Sequence, residues 1–139
     1  MDNVIKLVII SDTSYNTRYL FLEVSKEITN NDIDTHIRKA IDVAKPDFCG
    51  GDPRATLAKA GMGVIPGSNV VSMEYGIDAN FSGGAMRVVD AIVDSPLFLR
   101  TQVADTNQVA LAMLRDDSWK ELQEIDLMER APFLTITPV

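Results

Sequence analysis

The chain opens on Val4-Ile5-Lys6-Leu7-Val8-Ile9-Ile10, a run in which both odd and even positions are hydrophobic. Successive strand residues point to opposite faces, so a run that is apolar on both predicts a central strand covered above and below. A second run, Thr17 to Val24, alternates Leu20, Leu22 and Val24 against Arg18 and Glu23, which predicts a strand nearer an edge. Between them Ser11-Asp12-Thr13-Ser14-Tyr15-Asn16 is longer than a tight two-residue turn. The pair therefore reads as a β-hairpin with an extended loop.

Past Thr29 the period changes from two to that of a helix. Ile33, Ile37, Ala40, Ile41 and Ala44 share one helical face, Thr29-Asn30-Asn31-Asp32 precedes them as a capping box, and Pro46 stops the run. A short helix is expected around Ala55 to Ala60, with Asp52 as its cap, Pro53 at its first position and Gly61 just past its end. Gly61, Gly63, Pro66 and Gly67 then read as a loop. Asn69 to Tyr75 predicts a strand with Val71, Met73 and Tyr75 on one face. Ser82 caps a helix beginning at Gly83-Gly84, whose stripe is Ala85, Val88, Val89 and Ile92, until Ser95-Pro96 ends it. Leu97 to Val103 fits a strand or a loop, with the strand favoured, and Asp105 or Thr106 opens a helix through Val109, Ala112 and Met113. Ser118 to Glu121 forms a second capping box ahead of Trp119, Leu122, Ile125 and Met128, and Phe133 to Thr137 closes the chain as a strand. The expected fold is a single α+β domain over residues 1–139. Its sheet is mixed, with four or five strands opening on the hairpin, and its helices lie mainly on one face.

Composition narrows the class without naming a function. With 139 residues, 46% hydrophobic, the chain can bury one core and not two. No window approaches the ~18 uninterrupted apolar residues of a membrane span, and Met1-Asp2-Asn3-Val4 lacks the basic start of a secretion signal. A cytoplasmic location is expected. Thirteen Lys and Arg against 20 Asp and Glu give a net charge of −7. Residues 1–60 carry 8 basic and 9 acidic groups, whereas residues 61–139 carry 5 and 11, so the acidity is C-terminal. Such a surface repels phosphate backbones, and neither generic nucleic-acid nor membrane binding is expected.

Catalytic and metal chemistry find little purchase. Cys49 precedes Gly50-Gly51 near the expected short helix, where a helix N-terminus would favour a thiolate, and His36 is the one imidazole that could serve it as a base. Equally, Cys49 reads as a small buried hydrophobe and His36 as a boundary residue of the first helix. Asp32, Asp34 and His36 are spaced two apart on a helix and so diverge, and Asp116-Asp117 reads as a cap. No metal and no cofactor is expected.

The more suggestive segments are two glycine-bearing junctions with an arginine close by. Gly50-Gly51-Asp52-Pro53-Arg54 enters the expected short helix, and Ser82-Gly83-Gly84-Ala85-Met86-Arg87 enters the next. Free backbone N–H groups, glycines that allow close approach and a guanidinium are the ingredients of a phosphate site. Turn and capping chemistry accounts for the same residues. The second junction is the better candidate, because no carboxylate sits within it. Asp78 to Ala85 also resembles the entrance to the central helix of hotdog-fold acyl thioesterases. The following sequence is mostly helical and acidic where that fold has long strands, so thioester hydrolysis is not carried over.

Two readings follow. The first is a small acidic binding protein, of inhibitor, immunity or accessory type, acting by protein–protein contact. The alternative is a binder of a small phosphate-bearing or nucleotide ligand at Ser82, Gly83, Gly84, Ala85 and Arg87, or at Gly50, Gly51 and Arg54, with a small hydrolase less favoured. A homo-oligomer is expected in either case, since Phe98, Trp119, Met128 and Phe133 exceed what the short late elements bury.

Overall fold

The computed structural model describes residues 3–12, 17–44, 56–65, 70–78, 84–106, 109–110 and 136–138, with the side chains of 56–60, 78 and 84–86 left aside. The fold is α+β, built on one mixed sheet. Strands β1 (Asn3–Ser11) and β2 (Thr17–Ser25) form the expected hairpin, in unbroken register from Asn3 opposite Ser25 to Ser11 opposite Thr17. Helix α1 (Asn30–Ala44) follows, then β3 (Thr56–Val64), β4 (Val71–Asp78), helix α2 (Gly84–Val93), β5 (Arg100–Ala104) and β6 (Thr137–Pro138). The strand order is β5-β2-β1-β4-β3-β6, with β1 and β4 parallel and every other pair antiparallel.

Each face of β1 has its own core, as its uninterrupted apolar run requires. Val8 and Ile10 lie with Leu20, Leu22 and Val24 of β2 and Met73, Tyr75 and Ile77 of β4 beneath both helices. That layer takes Ile33, Ile37, Ala40, Ile41 and Ala44 from α1, and Val88, Val89 and Ile92 from α2. Ile5, Leu7 and Ile9 pack on the opposite face with Phe21, Ile65, Val70, Ala104 and Ala110. Both described helices thus cover one face, while the helical turn at Val109–Ala110 serves the other.

Strand β2 lies second from an edge, nearer to it than β1, with β5 paired outside it from Tyr19 opposite Ala104 to Glu23 opposite Arg100. Two sequence expectations change. Among the described residues the sheet has six strands rather than four or five. The second correction is the larger. Ala55 to Ala60 does not form a helix: Thr56 onward is β3, paired with β4 from Thr56 opposite Asp78 to Val64 opposite Val71. A helix of that length closes too few hydrogen bonds to recover its nucleation cost, whereas a strand gains a full ladder against β4. Alanine's helix propensity, a few tenths of a kcal/mol per residue, is outweighed. The pairing steps from Lys59 opposite Tyr75 to Gly61 opposite Glu74, so Ala60 is the extra residue of a β-bulge, and Gly61 belongs to that bulge rather than to a helix stop.

Leu97 to Val103 is a strand only from Arg100. Before it, Ser95 folds the chain: its backbone N–H donates to Ile92 O at 3.0 Å, and its Oγ accepts from the Leu97 N–H at 3.1 Å. Thr106 does open a helical turn, its Oγ1 accepting from Val109 N at 3.1 Å and its carbonyl from Ala110 N at 3.0 Å. The expected second capping box at Ser118, the helix through Met128 and the strand portion Phe133–Thr135 lie outside the described residues.

Candidate functional site

β1 and β4 run parallel and end together, Ser11 lying opposite Gly76, and the chain leaves β4 at Asp78 to enter α2 at Gly84. The start of α2 therefore stands at the carboxyl end of two parallel strands, the end at which α/β sheets present ligand crevices. Of the predicted anion-binding residues, Gly84 is the first residue of α2 and Ala85 the second, and Ser82 and Gly83 lie outside the described residues. Arg87 is exposed in the first turn, where there is no acidic residue. Among the described residues it makes no ion pair with Asp90. At the same end of the sheet the Ser11 and Thr17 hydroxyls are 2.8 Å apart, and Arg18 Nη1 donates to Thr17 O at 3.0 Å.

The other junction fares differently. Gly50, Gly51 and Arg54 lie outside the described residues, as does Cys49, but the helix they were to enter is strand β3. A strand offers no row of free N–H groups converging on an anion, so that half of the phosphate reading loses its premise.

His36 is half-buried on α1, its ring edge-on to Phe98 with centroids 5.3 Å apart and planes at 89°. Burial pushes its pKa below the ordinary value, and the charge of Lys39 adds to the shift. This histidine packs. Asp32 and Asp34 diverge from it as their spacing demands. Asp32 completes the capping box, accepting from Thr29 N at 2.9 Å while Thr29 Oγ1 accepts from Asp32 N at 3.0 Å. Those bonds hold the Asp32 carboxyl below its usual range. Asp34 accepts from the Tyr75 hydroxyl at 2.5 Å and from Arg38 Nε at 2.9 Å. Burial, and then the bonded carboxylate, push the Tyr75 phenol well above its usual value. No group of metal-ligating side chains occurs among the described residues.

One surface was missed from sequence. The α2–β5 connection is pinned by the Ser95 turn, by Phe98 buried against His36, and by Leu99 N donating to Glu23 O at 2.8 Å. It turns Leu99 outward, 60% exposed, beside exposed Asp94 and Pro96. Asp90, also exposed, stands four residues before Asp94, and the last turn of α2 holds no basic residue. Like charges at that spacing repel, and both carboxylates face the negative end of the helix dipole. A clue lay in Leu97-Phe98-Leu99, where three apolar residues cannot all turn inward from a tight connection.

No protein-family model matches the chain, and no match is found among curated proteins or among solved structures.

Proposed function

We propose that the chain is a small acidic binding protein of the inhibitor, immunity or accessory type, acting by protein–protein contact through the α2–β5 connection. The observation that carries this reading is the placement of Asp90 and Asp94 at the α2 C-terminus beside exposed Leu99. In the isolated chain the two carboxylates oppose both each other and the helix dipole, a local cost that a cationic partner surface would relieve. Leu99 supplies the apolar contact that gives such an interface more than long-range attraction. The backbone bonds of the connection fix this arrangement in advance, which lowers the entropy lost on binding.

The test is association with a basic protein partner, compared between the wild type and a variant carrying Asp90→Lys, Asp94→Lys and Leu99→Ser. A partner held by the wild type, weakened by added salt and lost by the variant supports the reading. Equal association of both proteins counts against it.

A second reading is kept because α2 begins at the carboxyl end of parallel β1 and β4. A small phosphate-bearing or nucleotide ligand there would meet Gly84 and Ala85 at the helix start and Arg87 in its first turn. A thermal shift that grows with nucleotide or sugar-phosphate concentration distinguishes it from the first. Arg87→Ala should then weaken that ligand by roughly 1.5 to 3 kcal/mol while leaving stability unchanged.

A further inference from the structure

Between Val4 and Ile10 every position of β1 is hydrophobic except Lys6. Residues two apart on a strand share a face, so Lys6 lies with Val4 and Val8 on the side of the sheet that carries both helices. Its register partners there are Leu22 of β2 and Val71 of β4. Aliphatic side chains therefore flank a primary amine on one of the two central, parallel strands. Further along the sheet Val8, Ile10, Met73 and Tyr75 are buried, whereas Val4, Lys6 and Val71 are half-buried. The amine stands in a partly exposed apolar corner at the amino ends of β1 and β4.

A separate observation is that no described group answers its charge. Among the described residues Lys6 makes no hydrogen bond and no ion pair. Glu23 and Glu74 adjoin Leu22 and Met73 in sequence and so belong to the opposite face. On the helix side Asp34 is held by Tyr75 and Arg38, Asp32 by its cap, and Asp90 and Asp94 are exposed. Burial alone pushes the Lys6 pKa below its usual range, with no charge contributing. A valine or leucine would pack here without that cost, so the fold gives no reason for the amine. An amine deprived of water and of a counter-charge gives up its proton more readily, and the free base attacks carbonyl carbon.

We propose that Lys6 is a covalent attachment site for small apolar aldehydes, its amine forming an imine while Val4 and Val71 hold the hydrocarbon. The nitrogen lone pair bonds the carbonyl carbon, and the C=O π pair passes to oxygen, which takes up a proton. The carbinolamine then loses water: its C–O bond breaks, nitrogen releases a proton and C=N forms. The step needs neither oxidant nor reductant. The apolar corner favours an aldehyde with a hydrocarbon tail, because that tail leaves water as the bond forms. The site goes beyond the protein-contact reading and uses none of its residues, so failure of either proposal leaves the other standing.

The experiment exposes the full chain briefly, at neutral pH, to dilute hexanal with cyanoborohydride, which reduces any imine to a stable secondary amine. Labelled lysines are then located by peptide mass mapping, with exposed Lys26 and Lys39 as internal references. Lys6 should be labelled at least tenfold faster than either. That excess should shrink several-fold with acetaldehyde, whose single methyl group covers little of the apolar wall. Val71→Glu sets a carboxylate beside the amine and should slow Lys6 labelling at least fivefold while leaving Lys26 and Lys39 unchanged, with circular dichroism confirming that the variant is folded. Labelling of Lys6 no faster than the references, an equal excess with both aldehydes, or unaltered Lys6 labelling in folded Val71→Glu would overturn the proposal. The two aldehydes on the wild type decide the matter even if Val71→Glu fails to fold.

Discussion

At the scale of single residues, one polar bond ties the helix layer to the sheet across a long stretch of sequence. Tyr75 on β4 donates to Asp34 on α1, 41 residues earlier, and Asp34 in turn holds Arg38. Nothing in the local pattern of either segment announces that bond, because periodicity reports which face is buried and not which polar atoms meet there. Tyr75→Phe should cost about 1.5 to 3 kcal/mol, the range for hydrogen bonds to a charged group, read from the urea midpoint. Ile37 is fully buried, as its place on the helical stripe foretold, and Ile37→Ala should cost roughly 2 to 4 kcal/mol through the cavity it leaves. His36 adds a dependence on pH. Its folded pKa lies below the ordinary 6.5, so the unfolded chain takes up the proton first as pH falls. The associated stability is complete above pH 6.5 and is lost as pH drops towards the folded value. His36→Phe should flatten that decline, which urea unfolding at neutral and mildly acidic pH would reveal.

At the scale of elements, the sequence was legible wherever one period ran long enough to outvote its neighbours. The hairpin and α1 carried such patterns, and so did the apolar stripe of α2. Thr29 and Asp32 reciprocate as the capping box requires, so Thr29→Ala should cost about 1 kcal/mol, seen as a lowered thermal midpoint. Because Asp32 has a depressed folded pKa, the capping contribution is present above its unfolded value near 3.8 and disappears as pH falls through the folded one. Helical ellipticity at acid pH should therefore decline less in an Asp32→Asn variant than in the wild type. Strand β3 was illegible for a physical reason. Thr56-Leu57-Ala58-Lys59-Ala60 has the local preferences of a helix, and the ladder that decides its state is supplied by β4, later in the chain. The anion site expected at Gly50, Gly51 and Arg54 was argued from that same helix, and those residues lie outside the described ones. The α2–β5 surface escaped notice because its exposure depends on the Ser95 turn, which swings Leu99 outward while burying Phe98.

At the scale of the whole molecule, charge and assembly pull against each other. Each copy carries −7, so two copies repel at long range, whereas a basic partner is drawn in. Added salt screens both effects and moves them in opposite directions. Of the four large apolar residues from which self-association was expected, Phe98 is buried within its own chain, and Leu99 takes its place as an exposed group on the same segment. The strands that end the sheet, β5 and β6, are short, and β5 is the longer. A homo-oligomer built through residues after 96 should therefore assemble more readily in about 0.5 M salt than in about 0.05 M, where the screening length is roughly threefold greater. Sedimentation at tens of micromolar should find species heavier than the 15.3 kDa chain at the higher salt, with the heavier fraction shrinking as salt is removed. Contact with a basic partner at Asp90 and Asp94 should show the reverse, weakening across the same range. A monomer at both salt concentrations would leave the acidic surface wholly available to a partner, and the self-association reading would then be wrong.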